Sequence, residues 1–391
     1  MDEEETTDLE NSEEDSEEDS EESFSSYNEF SSEEDDSIFR TKSSFIKPSP
    51  VYNWNIAKEL MHREHNIINR IGWRGGHTSD QSFGQGFYGS RQAVEHLILI
   101  KTLKTRLTCS LNFNRDGDLL GTGDESGNVT VWDWENNRAL HRFCPAPRNV
   151  EQTKFMDSTG FLGIMSSNLT GEVFLTIIPP SGGDTRSQCL YKHKGSTNDF
   201  LIVPQCPYEV MSVGEYGAVN HFDVRTSDEA TTMVNCVDQE QKALCLRTIA
   251  HHPFSPEFCV GGDDFKLRVF DKRKLTEPFH EKTPNLVKKW YRTEGITCIV
   301  YNHSGSEILA CFHDGGIFLY DSRNYNKTEF LHFYEKHYSE INFFGPRSEY
   351  IVTSDSRSMY FYDKKTEAII SETTAHFFGP GVKIWTPNGQ T

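Results

Sequence analysis

The sequence predicts an all-β fold. Repeated four-stranded sheets stand around a ring, a β-propeller of about seven blades with the last one shortened. An acidic disordered tail and a short helix precede it. Three observations predict this. From Ala93 onward short apolar runs alternate with turn residues, and no stretch sustains a helical period. An aspartate recurs after aromatic residues: Asp133 in VTVWDW, Asp223 in VNHFDVR, Asp271 in LRVFDKR, Asp321 in IFLYDSR and Asp363 in MYFYDKK. The intervals are 90, 48, 50 and 42 residues, the first being two periods with GEVFLTII (Gly171 to Ile178) as the middle repeat. Finally, each unit repeats one internal order of strands and turns, and a period in this range with four strands per unit is the mark of radial repetition.

The elements follow along the chain. Residues 1–36 hold 19 Asp and Glu and no Lys or Arg. Such a segment repels itself and cannot bury enough apolar surface to offset its ordering entropy, so residues 1–50 read as a disordered tail. Ser12, Ser16 and Ser32 each have an acid three residues on, which suits an acidophilic kinase. Pro48 and Pro50 end the tail. Asn53 can then cap a helix in which Trp54, Ala57, Leu60, Met61, Ile68 and Ile71 recur at three- and four-residue steps. Periodicity alone fits a helix packed on its own domain or one offered to a partner's groove. The Gly/Ser-rich stretch TSDQSFGQGFYGS reads as a loop closing this 51–92 region. It holds G-x-G-x-x-G at Gly84, Gly86 and Gly89, but its flanks are polar, where a dinucleotide site needs a preceding strand.

The propeller reading covers 93–391. AVEHLILIKTL (Ala93 to Leu103) is placed to be the N-terminal strand that completes the last blade. LTCSLNFNRDGDLLGTGDESGNVTVWDW then gives strands at Leu107 to Phe113, Leu119 to Thr122 and Val129 to Trp134, parted by turns at Asp116-Gly117 and DESGN. The stretches TIAHHPFSPEFCVGGDDFKLRVFD, ITCIVYNHSGSEILACFHDGGIFLYD and INFFGPRSEYIVTSDSRSMYFYD repeat that order. At the end, EAIISETTAH reads as the first strand of a last unit that jumps straight to VKIW (Val382 to Trp385), with no room for a second strand.

Composition excludes several classes of function. Net charge is −20 over 391 residues, but beyond residue 36 the chain carries 40 acids against 39 bases. The body is therefore no obvious nucleic-acid binder. No apolar stretch of 18 or more residues is present, so no membrane span is expected, and the acidic start is unlike a secretory signal. Nine scattered cysteines without CxxC read as reduced thiols, which places the protein in the nucleus and cytoplasm. No catalytic constellation emerges. His251 and His252 are adjacent and would point to opposite faces of a strand, and Asp263-Asp264 sits in a turn where Asp bonds backbone. No metal-ligand spacing, G-x-S-x-G or phosphate loop occurs, so neither cofactor nor enzymatic activity is expected.

One feature outlasts the exclusions. FDVR, FDKR and YDSR place Arg225, Arg273 and Arg323 two residues after Asp223, Asp271 and Asp321. On the pleat Asp and Arg share one side and the aromatic and x residues the other. A local Asp–Arg bridge would tie the turn, yet an exposed bridge is worth only ~0–1 kcal/mol. An oriented arginine at a rim is also a common interface anchor.

The recurring units resemble WD repeats from about Ala93 to the end, with VWDW the strictest match. The Trp/aromatic-Asp-x-Arg boxes resemble the signature of the WD-repeat substrate receptors of the cullin-4 ubiquitin ligase, the damaged-DNA-binding- and cullin-4-associated factors. That resemblance implies a non-enzymatic receptor whose arginines face the damaged-DNA-binding adaptor and whose pre-propeller helix inserts into it. The residues carried over are Arg225 and Arg273 with Asp223 and Asp271, Arg323 by local pattern, and Trp54, Leu60 and Met61 of the helix. The first unit departs, with Glu135 where the arginine would stand, and so does the clipped last unit. A protein substrate is the second implied partner. The rival reading is a WD-repeat scaffold without a ligase link, binding histones or other basic proteins through its acidic tail.

Overall fold

The computed structural model describes Met61, Glu64 and residues 80–156, 161–179, 184–226, 229–238, 240–284, 295–313, 316–324, 326, 328–335, 340–354, 358–374 and 381–387. The acidic tail with Ser12, Ser16 and Ser32, and most of the 53–71 helix with Trp54 and Leu60, lie outside the described residues. Met61 and Glu64 are helical and exposed.

Two helices come first, α1 (Asp80–Tyr88) and α2 (Arg91–Glu95). They correct the reading of a loop here and of a strand from Ala93. Ser90 caps α2, its hydroxyl accepting from the Ala93 N–H, and Ala93 and Val94 are buried. Strand β1 (Leu97–Leu103) follows.

The next 24 strands form six antiparallel sheets, each taken in chain order. Sheet one is β2 (Thr108–Phe113), β3 (Leu119–Asp124), β4 (Val129–Asp133) and β5 (Arg138–Phe143). Sheet two is β6 (Val150–Met156), β7 (Leu162–Asn168), β8 (Glu172–Ile178) and β9 (Arg186–Lys192). Sheet three is β10 (Thr197–Ile202), β11 (Glu209–Gly214), β12 (Ala218–Asp223) and β13 (Thr231–Asn235). Sheet four is β14 (Leu246–His251), β15 (Glu257–Gly262), β16 (Leu267–Asp271) and β17 (His280–Lys282). Sheet five is β18 (Ile296–Tyr301), β19 (Glu307–Phe312), β20 (Gly316–Asp321) and β21 (His332–Tyr334). Sheet six is β22 (Ile341–Phe344), β23 (Tyr350–Ser354), β24 (Ser358–Asp363) and β25 (Ile369–Thr374). β26 (Val382–Pro387) returns to pair antiparallel with β1, Leu103 opposite Val382 and Leu97 opposite Pro387.

This is a six-blade propeller arrangement plus a two-stranded closing sheet, the shortened last blade of the sequence reading. One assignment changes. IISETT is the outer strand of sheet six, paired with β24, and not the first strand of a seventh. Its mixed exposure is what an outermost strand shows.

Burial explains the order. The second strands β3, β7, β11, β15 and β19 are buried at nearly every position. They are central in their own sheet and carry neighbouring sheets on both faces. β5 and β9 alternate weakly and lie largely exposed. The core is thus a set of contacts between successive sheets. Phe258 and Phe270 of sheet four stack at 5.4 Å and pack on Met211, Val213 and Val219 of sheet three. Tight turns let the sheets approach: Gly217 has φ +73°, and a Cβ there would lie 2.2 Å from the Cys236 carbonyl oxygen.

Candidate functional site: an arginine face and a central opening

In each complete sheet the turn after the first strand and the turn after the third share one end of the blade. Arg225, Arg273 and Arg323 all sit in third-to-fourth-strand turns, so sheets three, four and five present them at the same end of consecutive blades.

The pleat divides the tetrad as its sequence demands. Phe270 is 2% exposed and faces sheet three. Lys272, two residues on, reaches the same way, its Nζ donating to Glu209 Oε2 of sheet three at 2.7 Å. Asp271 and Arg273 take the other side. The Arg273 backbone N–H donates to Asp271 Oδ1 at 2.9 Å, Nε to Oδ1 at 3.0 Å and Nη2 to Oδ2 at 2.7 Å. Arg225 and Asp223 repeat this geometry at 2.9, 3.0 and 2.6 Å. One carboxylate therefore ends the strand and clamps the guanidinium edge, while both arginine side chains stay open to solvent at 60% and 74%. Arg225's hydrogen bonds hold Asp223 down to about 2, and Arg273's lower Asp271. Both carboxylates remain charged at neutral pH.

Arg323 is different. Its backbone N–H donates to Asp321 Oδ1 at 2.9 Å, and no side-chain bond of its guanidinium to that carboxylate is present among the described residues. It is an exposed arginine at the right place without the clamp.

Two contributors are not visible in the tetrads. The Arg225 guanidinium lies 5.1 Å over the Tyr208 ring, in the first turn of the same sheet. Phe254, in the equivalent turn of sheet four, is 67% exposed. His252 Nδ1 accepts from the Phe254 and Ser255 N–H groups and fixes that turn. The available signal was an aromatic residue in a Pro-bearing turn just ahead of a second strand, at Tyr208-Glu209 and Phe254-Ser-Pro-Glu257. Met61, the one described residue of those carried over from the helix, is 69% exposed.

The first strands of all six sheets line a central opening of about 760 Å³. Lys154, Asp199, Arg247, His251 and Glu340 are among its lining residues. Asp199 accepts from Thr248 Oγ1 at 3.2 Å and the Ile249 N–H at 3.1 Å, tying sheet three to sheet four, and burial pushes its carboxyl up. Asp264, read as a turn residue, accepts from the Lys266 N–H and pairs with Arg268. Asp263 pairs with Arg247 at 2.5 Å. Gly84 and Gly86 lie inside α1.

Comparison with known proteins agrees with this architecture. The family model "WD domain, G-beta repeat" matches residues 99–133 and 285–321. The human protein named DDB1- and CUL4-associated factor 6 is 24% identical over 261 residues, 61% of this chain and 30% of that protein. The mouse protein of the same name is 25% identical over 261 residues, 61% of this chain and 29% of that one. The chain thus spans about 30% of the length of these curated relatives.

Proposed function

We propose that this WD-repeat propeller, homologous to DDB1- and CUL4-associated factor 6, is a non-enzymatic substrate receptor. It links target proteins to a cullin-4 RING ubiquitin ligase through the damaged-DNA-binding adaptor, in the nucleus and cytoplasm. Within that series of factors its motifs resemble factor eight. The adaptor grips the arginine face: Arg225 and Arg273 held by Asp223 and Asp271, Arg323 beside them, and Trp54, Leu60 and Met61 of the pre-propeller segment. The central opening or the opposite face holds the protein to be ubiquitinated, and the ligase's other subunits do the chemistry.

The observation that carries this reading is the repeated bidentate clamp at one end of consecutive blades. Two charged groups fixed in one rotamer gain little stability when exposed. An arginine already ordered loses less freedom when a partner grips it.

Affinity capture from cells tests it. The full chain should recover the adaptor and cullin-4, and the Arg225→Ala/Arg273→Ala chain should not, while both melt at the same temperature. If the wild-type chain recovers basic chromatin proteins with steep salt dependence and never adaptor or cullin, the scaffold reading replaces this one.

A further inference from the structure

The first turn of sheet four, Pro253 to Pro256, is flanked by two prolines that have no N–H, so its backbone donors are those of Phe254 and Ser255. Both donate to one atom, His252 Nδ1, at 3.0 and 2.9 Å. The carbonyls at the two ends of the turn are held by neighbours. Pro253 accepts from Gln205 Nε2 of sheet three at 3.3 Å, and Pro256 from the Lys272 N–H of the turn that bears Arg273 at 2.8 Å. The middle of the turn, where Phe254 stands 67% exposed, hangs on the imidazole.

The same ring meets sheet five. Nδ1 accepts, so the neutral ring carries its proton on Nε2. Nε2 faces Gly305 in the matching turn of sheet five, where a Cβ would lie 2.0 Å from it. Tyr301 of β18 packs edge-on against the ring at 5.3 Å. The titratable and charged groups around it are Glu257 at the start of β15, Arg323, the Tyr301 phenol, and His251, whose Nδ1 donates to the His252 carbonyl at 2.7 Å. Burial and Arg323 disfavour the charged ring, Glu257 and the Gly305 backbone favour it, and the balance lies below the ordinary histidine value.

Sheets one and five fill the same position without a titrating group. His252, Asn114 and Asn302 each donate their backbone N–H to the carbonyl of the first residue of the second strand, Glu257, Leu119 and Glu307. In sheets one and five the asparagine Oδ1 accepts the N–H that closes the turn, from Leu119 at 3.0 Å and Glu307 at 3.2 Å. A fixed acceptor would therefore serve here, and sheet four carries one that a proton can remove.

We propose that His252 is a positioning residue and a proton-operated pin of the arginine face: neutral, it sets Phe254 out as the apolar anchor that the adaptor covers in the same blade as Arg273, and a proton on Nδ1 frees that turn. The imidazolium has no lone pair to offer, so both N–H groups lose their acceptor, and a second positive charge is set near Arg323. The partner chemistry this fits is an apolar patch bordered by carboxylates. The partner's identity rests on the receptor reading, and the pin rests on the geometry of the turn.

Amide hydrogen exchange of the full chain, followed by mass spectrometry, tests the pin without any partner. Between pH 7.5 and pH 4.5, corrected for intrinsic exchange and referred to the buried Val260 amide of β15, protection of the Phe254 and Ser255 amides should fall about tenfold or more in the wild type. His252→Asn supplies an oxygen that can take the N–H two residues on, as Asn168 Oδ1 takes that of Thr170 at 3.1 Å, and should keep protection within about twofold over the same range. His252→Phe fills the space without an acceptor and should leave the two amides unprotected already at pH 7.5. At that pH Phe254→Ala should weaken adaptor binding about tenfold or more while melting like wild type, because the ring is largely exposed. Wild-type protection that does not change with pH, or that His252→Asn loses in step with wild type, overturns the pin. Adaptor binding by Phe254→Ala within about twofold of wild type overturns the anchor. A wild-type chain that never binds adaptor sinks the receptor reading and the anchor's partner with it, and the exchange data still decide the pin.

Discussion

Replacing Asp223 by Asn separates the orientation of Arg225 from its charge. The Asp223 carboxylate takes three donors: the backbone N–H at 2.9 Å, Nε at 3.0 Å and Nη2 at 2.6 Å. Asparagine keeps one acceptor oxygen, enough for the backbone N–H and Nε, but its NH₂ cannot accept from Nη2. The guanidinium is then free to leave the Tyr208 ring. The folded state loses little, because the pair is exposed and screened by solvent. Binding loses more, since a partner must now supply the ordering of the side chain, ~0.5–1.5 kcal/mol per arginine. Asp223→Asn alone should weaken the adaptor complex by a factor of roughly three to ten, and Asp223→Asn/Asp271→Asn by roughly ten to a hundred if the boxes act independently. Biolayer interferometry of the purified chain against the adaptor measures both. Asp223 titrates at about 2 when folded against 3.8 unpaired, so its contribution is intact above pH 3.8 and fades as pH falls toward 2. The effect should therefore be flat from pH 6 to 8. If the double Asn variant binds within twofold of wild type while Arg225→Ala/Arg273→Ala does not bind, the clamps do not orient the arginines and the reasoning fails.

Three further outcomes test the frame that carries the face. Phe270→Ala opens a cavity between sheets three and four, where the ring is 2% exposed, and should cost about 3–5 kcal/mol by urea unfolding. Gly217→Ala puts a Cβ against the Cys236 carbonyl at φ +73° and should destabilise by at least ~1–3 kcal/mol, seen as a lower melting temperature. Burial depresses His193 to about 4 from 6.5, so the unfolded chain binds the extra proton between those values. Stability should fall as pH drops through that window, by up to roughly 1.4 kcal/mol per unit. His193→Gln should flatten this part of the urea-midpoint profile.

The sequence made the order of the first three strands legible in four blades, and in sheet one their bounds to within two residues. These strands pack on a neighbouring sheet, and their β-branched and aromatic residues report it. The outer strands were harder. β5 runs RALHRF, with four of its six positions exposed and no period to read. The same exposure made IISETT ambiguous, and pairing with β24 decided its place. Helix α1 was invisible for a different reason. DQSFGQGFY carries two glycines and no helical stripe, so local propensity argues against a helix. Tertiary contact prevails there: Tyr350 Oη donates to the Gly89 carbonyl, and a side chain at Gly89 would strike Glu349. At the candidate site, the Asp–Arg clamp was legible because its partners are two residues apart. Tyr208 under Arg225 and Glu209 under Lys272 were not, because 17 and 63 residues of chain separate those pairs.

The tetrad divides its work by pleat, and that division accounts for where the arginine face begins and ends. The aromatic residue and the x residue look toward the preceding sheet. Phe270 packs on sheet three and Lys272 reaches Glu209, and Lys364 of sheet six likewise reaches Glu307 of sheet five at 2.8 Å. The x residue of sheet one is Trp134, packed edge-on against Phe113. These contacts hold the turn against its neighbour and leave the alternate pair free to point outward. What that pair carries then varies by blade. Sheet one ends in Asp133 and Glu135, with Asn136 donating to Asp133 instead of an arginine. Sheet two has Pro179 directly after its third strand and no box. Sheets three and four carry clamped arginines, sheet five an unclamped one, and sheet six Lys365. A purely structural use of the tetrad would need the inward pair on every blade and would be indifferent to the outward one. The outward pair is instead arginine on three consecutive blades and acidic on the first. That confines the clamped arginines to two neighbouring blades, with the basic edge continuing through Arg323 and Lys365 and absent from sheets one and two.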